Sequence, residues 1–291
     1  KGTNGQMVMT QPGLITRIIE ALGLDRDKST PRATPCLKAP LTKDLDGDPC
    51  HGTFSYPCIV GMLLYLAGHS RPDITFSVSQ VARFSFCPKH SHEQGLKLIG
   101  RYLLATRDKG MVLTPSRDLS IDAYPDADFA GLYGYKDNLD PVCVRSRTGF
   151  VINDANCPVV WKSQLQTEIA TSTMQAEVIA LAGCCKELMP IVDLVDELGN
   201  AVGLSRDEAT KMHIVIHEDN AGALTLAQTM PPQFTPRSKH YAVKTHWFRE
   251  QCITRSIELK KISTTEQLGD ICTKCLPQAT FEYLRKKLIG W

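Results

Sequence analysis

The chain has 291 residues, 43% hydrophobic and 22% charged, with a formal net charge of +2. That is the composition of an ordinary globular protein with room for one large domain or two. No apolar run approaches the ~20 residues that cross a bilayer, so no membrane role is expected.

Residues 14–24 place Leu14, Ile15, Ile18, Ile19 and Leu22 on one face, which predicts a short helix. A connector follows over residues 25–57, punctuated by Pro31, Pro35, Pro40, Pro49 and Pro57. Three helical patterns come next. Residues 58–68 are broadly apolar. Pro72 and Asp73 then open a helix carrying Ile74, Val78, Val81 and Ala82, and Leu96, Ile99 and Leu103 form a third stripe. This part of the chain is expected to be all-helical and to hold no chemistry. From about residue 118 the pattern changes to strands at 119–125, 147–153 and 158–165. A long helix is expected after Thr171, Ser172 and Thr173 as caps, broken or kinked near Pro190 and stopping at Gly199. Residues 212–218 read as a buried central strand. A short helix from Asn220, a basic loop, a helix at 244–255, a strand around Ile257 and Leu259, and two closing helices complete an α/β layer with a mixed sheet.

Four acidic residues sit where these elements end or begin: Asp126, Glu177, Asp219 and Asp270. Carboxylates dispersed in sequence but placed at element ends suit a magnesium-dependent phosphodiester-cleaving centre, since Mg²⁺ takes hard oxygen ligands. Crowded carboxylates repel, and a cation offsets that repulsion. Each residue has a plainer reading as well: Asp270 as a helix-dipole partner, Glu177 as a surface residue, Asn220 as an N-cap. Asp122 shares strand parity with Asp126 and is not separated from it by pattern alone. Ser263 to Glu266 resembles a capping box ahead of Asp270. Residues 229–291 hold eleven Lys or Arg against five Asp or Glu, a surplus that suits a phosphate backbone or a solvated surface.

Other patterns fail. Residues 44–48 have their glycine misplaced for a calcium loop. His90 and His92, followed by Glu93, lack the spacing of a zinc protease. No phosphate-binding glycine-rich loop is present. The eleven cysteines are expected to be reduced and mostly packing residues of an intracellular protein; Cys272 and Cys275 have no second ligand pair nearby. The chain opens at Lys1 with no signal-peptide pattern, so it is expected to be a piece of a longer polypeptide.

These residues resemble the ribonuclease H region of copia-type (Pseudoviridae) retrotransposon polyproteins over nearly the whole chain. The first motif is carried by residues 126–131, with Phe129 where Trp is usual. Arg145 to Val151 and Val160 to Ser163 resemble the next two strands. Residues 172–178 carry the second acid, with Gln175 and Val178 in place of the usual Glu and Tyr. Asp219 with Asn220, Arg237 to His240, His246 to Glu250 and Gly269 to Lys274 complete the series. Upstream, Leu64 to Ala67 and Arg71 to Ile74 resemble the segment between polymerase and nuclease.

The resemblance implies a ribonuclease H-like mixed five-stranded sheet flanked by helices, preceded by a smaller helical connection region. Residues 1–35 would be a reverse transcriptase remnant, 36–115 the connection and 116–291 the ribonuclease H-like domain. It implies cleavage of the RNA strand of an RNA–DNA hybrid to 5′-phosphate and 3′-hydroxyl ends. Asp126, Glu177, Asp219 and Asp270 would hold two Mg²⁺ ions, with Mn²⁺ as a substitute and no small-molecule cofactor. Asn220, Arg237, Lys239, His240 and Lys244 are the candidate nucleic-acid contacts. The partner would be the reverse transcriptase portion of the same polyprotein, in a cytoplasmic particle or the nucleus. No Tyr-x-Asp-Asp polymerase motif is present, and residues 263–266 lack the histidine that cellular and retroviral relatives often carry there. A catalytically silent remnant that binds nucleic acid or the polymerase is the alternative, and a nuclease or transposase of the same layered fold is a more distant one.

Overall fold

The structure is a computed structural model that describes residues 6–25, 30–36, 39–117, 120–135, 139–203, 212–228 and 239–291, the side chains of 239–242 excepted. The chain forms two compact units. One comprises Lys1–Leu113, Ala130–Val144 and Lys274–Trp291, the other Thr114–Phe129 and Arg145–Thr273.

The N-terminal part of the first unit holds the helices α1 (Pro12–Ala21), α2 (Tyr56–His69), α3 (Thr75–Ala82) and α4 (His90–Ala105). Pro12 and Pro57 stand in the opening turns of α1 and α2, where a missing N–H costs nothing. Ile15, Ile18 and Ile19 of α1, Ile59, Leu63 and Leu66 of α2, and Leu96, Ile99 and Leu103 of α4 are buried, the faces that their spacing specifies. The unit is not all-helical, however. Strand β1 (Met7–Met9) pairs antiparallel with β2 (Met111–Leu113). Three residues are too few to display alternation, and the partners lie far apart in sequence, so the ladder leaves no local trace.

The C-terminal helix Gln278–Ile289 belongs to this unit and buries Phe281, Leu284 and Leu288. At its core Arg71 grips Asp73 through two bonds of 2.9 and 2.8 Å, and both side chains are fully buried. Tyr102 donates to the same carboxylate at 2.5 Å, and Thr106 accepts from Arg71 through its carbonyl and its hydroxyl. The Arg71 guanidinium lies 5.3 Å from the ring centroids of both Tyr102 and Trp291. Every polar partner here is spoken for, which is the condition for keeping a buried ion pair.

The second unit holds β3 (Ser120–Asp128), β4 (Arg147–Asp154), β5 (Cys157–Leu165), α5 (Thr173–Ala201), β6 (His213–Glu218), α6 (Ala221–Gln228), α7 (Lys239–Thr254), β7 (Glu258–Lys261) and α8 (Asp270–Thr273). The sheet order is β5-β4-β3-β6-β7. β3, β4 and β5 form an antiparallel meander, while β6 and β7 join parallel to β3. This is the mixed five-stranded sheet flanked by helices that the sequence leads one to expect. Ile121 and Ala123 of β3, Ile214 and Ile216 of β6, Leu181, Cys184, Cys185 and Leu188 of α5, and Phe248 of α7 form one core cluster. Among the described residues no helix is long and apolar enough to cross a membrane. None of the eleven cysteines is in a disulfide, and Cys184 and Cys185 are buried in this core.

Of the kink or break expected near Pro190, the break is not found, nor is the stop at Gly199: α5 runs unbroken past both to Ala201. Proline costs about 3 kcal/mol inside a helix. Leu188, Met189 and Val192 flank it and are buried in the core cluster. Their burial holds the helix together where propensity alone would end it.

Replacing Arg71 by Ala should lower unfolding free energy by about 3–5 kcal/mol, because it strands Asp73 in the interior. Urea unfolding measures this, and a loss below about 0.5 kcal/mol, the size of an ordinary surface change, would overturn the assignment.

Candidate metal centre

β3 and β6 pair only from Ser120 and His213 to Ala123 and Ile216. Pro125 then interrupts: it has no N–H to give a neighbour. Its carbonyl and that of His217 both accept from Gln267 Nε2, at 2.9 and 3.2 Å. The fully buried Gln267 side chain therefore ties the two strands together just past the end of their ladder. Its Oε1 accepts the Gly269 N–H at 3.1 Å and so fixes the turn that enters α8.

Two glycines let α8 lie directly on the sheet. A Cβ on Gly269 would stand 2.6 Å from the Tyr124 carbonyl and 2.8 Å from Asp126 Cβ. A Cβ on Gly149, the register partner of Asp126, would stand 2.5 Å from Thr273 Cγ2 and 2.8 Å from Cys272 Cβ. With no Cβ at either place, Thr273 of α8 reaches Asp126 Oδ2 and donates a hydrogen bond. The capping box expected at Ser263 does not form: the Ser263 side chain makes no capping hydrogen bond, Thr264–Glu266 is a separate 3₁₀ turn, and Asp270 opens its own short helix.

Glu177 is delivered by the start of α5. Ser172 Oγ accepts the Gln175 N–H at 3.2 Å, and Gln175 Oε1 takes both the N–H and the hydroxyl of Thr171, at 2.5 and 2.9 Å. This reciprocal cap fixes the first turn, and an amide serves it as well as a carboxylate. Gln175, one of the departures from the resembling motif, thus keeps a structural task. Asp219 follows β6 directly, and its Oδ2 accepts from Thr264 at 2.9 Å. Asn220 Oδ1 caps α6 by accepting the N–H groups of Gly222 and Ala223, at 2.9 and 3.0 Å.

One carboxylate oxygen from each of Asp126, Glu177 and Asp219 lies within 4.8 Å of the other two. Asp126 and Glu177 are buried, and Asp219 is half-buried. Asp270, also buried, follows Gly269 in the chain but is outside that mutually close set. Asp122 is engaged elsewhere, 2.8 Å from His217 Nε2, with the His217 ring stacked on Tyr124. Three hard oxygen donors at this spacing, two of them shielded from water, fit a magnesium-type ion.

Two of the expected nucleic-acid contacts have described side chains, those of Asn220 and Lys244. Asn220 spends its oxygen on the cap. Lys244 forms an ion pair with Glu168. Lys239 and His240 open α7, whose described side chains begin after them, and Arg237 lies outside the described residues.

No protein-family model matches the chain. It is 34% identical over 258 residues to a retrovirus-related Pol polyprotein from transposon RE1 of Arabidopsis thaliana, covering 89% of this chain and 16% of that one. It is 32% identical over 294 residues to the corresponding polyprotein from transposon TNT 1-94 of Nicotiana tabacum, covering 99% and 20%. The chain is a homologue of the copia-type retrotransposon Pol polyproteins. It spans between 16% and 20% of the length of these relatives. Among solved structures, an N-terminal ribonuclease H domain of rv2228c from Mycobacterium tuberculosis aligns at 12% identity and a TM-score of 0.34, over 58% of this chain and 97% of that one.

One acidic residue of this Pol homologue escaped the sequence reading. Glu218, fully buried at the end of β6, has its carboxyl pushed up to about 8 by burial, helped by the negative charges of Asp219 and Asp126 and opposed by the Asn220 N–H. Its Oε1 accepts that N–H at 3.0 Å. At neutral pH it is largely protonated, so the site carries one negative charge fewer than its composition suggests. The signal available was the acidic doublet Glu218 and Asp219 at a strand end.

Two outcomes follow. A Gly269→Ala chain should lose about 1–3 kcal/mol, since the new methyl meets backbone rather than a movable side chain; chemical denaturation that shows no loss would refute the close approach. Because Glu218 has a raised folded pKa, its contribution is whole below the unfolded value of about 4.5 and is lost as pH rises through about 8. In chelator, the wild-type melting temperature should therefore fall between pH 5 and 8 more steeply than that of Glu218→Gln. Parallel curves would remove the buried-acid assignment.

Proposed function

We propose that this Pol homologue is a divalent-metal-dependent endonuclease that cuts the RNA strand of RNA–DNA hybrids, working with the reverse transcriptase portion of the same polyprotein. The observation that carries this reading is the convergence of Asp126, Glu177 and Asp219 from three separate elements, in a chain homologous to copia-type Pol.

Asp126, Glu177 and Asp219 would hold Mg²⁺ or Mn²⁺, with Asp270 as a fourth ligand. Held there, such ions would supply activation of the attacking water and stabilisation of the leaving 3′ oxygen. The protein's own share is placement. The Thr273 hydroxyl orients Asp126, the Thr264 hydroxyl orients Asp219, and the Ser172 cap fixes the turn that carries Glu177. Burial of Asp126 and Glu177 strengthens their field, because less water is present to screen it. Recognition of RNA would come from 2′-hydroxyl contacts and backbone shape rather than base sequence. Arg237, Lys239, His240 and Lys244 supply the proposed phosphate contacts, with Lys244 exchanging Glu168 for a phosphate oxygen.

The purified chain, given a labelled hybrid and Mg²⁺ or Mn²⁺, should release fragments with 5′-phosphate and 3′-hydroxyl ends. Asp219→Asn should reduce cutting to background while hybrid binding is kept or tightened, since a negative charge is lost near the phosphates. Cutting by the variant at the wild-type rate rejects the site, and an intact hybrid with the wild-type chain rejects the activity.

A further inference from the structure

The first unit holds a second constellation that the nuclease reading does not use. Residues 48–51 of the connector run beside the entry to α4: His90 N–H donates to the Asp48 carbonyl at 2.9 Å, Cys50 N–H to the Pro88 carbonyl at 3.3 Å, and Pro49 and Lys89 form a bridge. This brings His51 onto His90, with ring centroids 4.5 Å apart and planes inclined by 28°. Glu93, one turn further along α4, is buried beneath them. One donor atom from each of His51, His90 and Glu93 lies within 4.8 Å of the other two.

The carboxylate is two-sided. Its Oε1 faces Lys97 Nζ at 2.7 Å. Its Oε2 gathers the His51 N–H at 3.1 Å and the Cys50 thiol at 3.3 Å, and lies 3.9 Å from His90 Nδ1. Packing alone explains a stacked ring; it does not explain His90 Nδ1, which is buried with no hydrogen-bond partner among the described residues. Buried ring nitrogens are ordinarily satisfied. His92, the nearer histidine in sequence, is committed elsewhere: it accepts the Lys89 N–H and stacks on Phe84.

We infer that His51, His90 and Glu93 form a binding site for a zinc-class cation that clips residues 48–51 to the start of α4. Two imidazoles and one carboxylate are a zinc ligand set with a fourth position left for water or the neighbouring Cys50 sulfur. Nitrogen donors favour zinc over magnesium, which separates this site from the all-oxygen trio of the second unit. The other face of His90 is already furnished. Its Nε2 lies 3.0 Å from the Gln94 side-chain amide, and that amide, turned to present its oxygen, would hold the ring in the tautomer that leaves Nδ1 for the metal. The cation would join two segments that are about forty residues apart in the chain, and binding to a site that exists only when folded stabilises the fold.

The test uses the full chain freed of metals and then kept in excess Mg²⁺, titrated with Zn²⁺ against a chromophoric chelator. Wild type should bind one Zn²⁺ equivalent that is lost in both His51→Ala and His90→Ala but kept in Asp126→Asn. Cobalt in place of zinc should give the visible absorption of a four-coordinate site in wild type and none in the two histidine variants. His51 is an exposed loop residue whose backbone N–H survives substitution by Ala, so the variant keeps its bond to Glu93, and its melting temperature in chelator should match wild type. Zinc should then raise the wild-type melting temperature and leave that of His51→Ala unchanged. Equal zinc stoichiometry and affinity in wild type and both histidine variants, or no zinc retained by wild type, overturns the inference. Loss of the equivalent in Asp126→Asn, with both histidine variants unaffected, also overturns it and moves zinc to the nuclease centre.

Discussion

The hydrogen bonds of one buried glutamine hold the candidate nuclease centre in shape. Pro125 stops the β3–β6 ladder by lacking an N–H, and two strand carbonyls would then face each other with no donor between them. The two amide hydrogens of Gln267 answer both. That single side chain solves a backbone accounting problem and anchors the turn that brings α8 over Asp126. Without the interruption, β3 and β6 would continue side by side and leave no crevice at the sheet's end. Crevices beyond the carboxyl ends of parallel strands are where α/β folds place their sites.

Close approach is the second half of the same device. Gly149 and Gly269 are useful here for what they lack: a Cβ at either position would push α8 off the strand. The resulting contact is tight enough for Thr273 to meet the Asp126 carboxylate. Asp270, by contrast, sits in the first residue of α8 yet outside the mutually close trio. Three carboxylates that share one place already repel, and a fourth brought to the same spacing would add to that cost unless a cation offset it.

Much of this was legible in the sequence, and the failures have physical causes. The strands of the second unit showed because alternation and turn residues are local signals, and the three converging acids showed because each stands at an element boundary. The β1–β2 ladder did not show, since its strands are three residues long and find each other across most of the first unit. The passage of α5 through Pro190 did not show either, because burial of Leu188, Met189 and Val192 overrides a local rule. Glu218 was hidden by its neighbour: a doublet of acids names a site but not which member faces it, and only burial decides. His90 and Glu93 were noticed, but the histidine that meets them is His51, some forty residues earlier, rather than His92.

The contrast between the two ligand sets follows from where each is built. The trio in the second unit is drawn from a strand, a helix and a strand end, each pinned by its own hydrogen bond, and it consists of oxygen alone. A fourth carboxyl at Glu218 stays largely neutral at pH 7, chiefly because burial removes the water that would solvate its charge and secondarily because Asp219 and Asp126 already place negative potential there. That potential is the quantity a doubly charged ion would be drawn to, and it exists whether or not any particular residue is the best ligand. The histidine pair of the first unit lies in a different field, with Lys97 beside its only acid. A site that already has a cation against its carboxylate offers little to a hard ion such as magnesium and relatively more to one that bonds well to imidazole nitrogen. Two ligand sets in one chain can thus select different metals by donor chemistry alone.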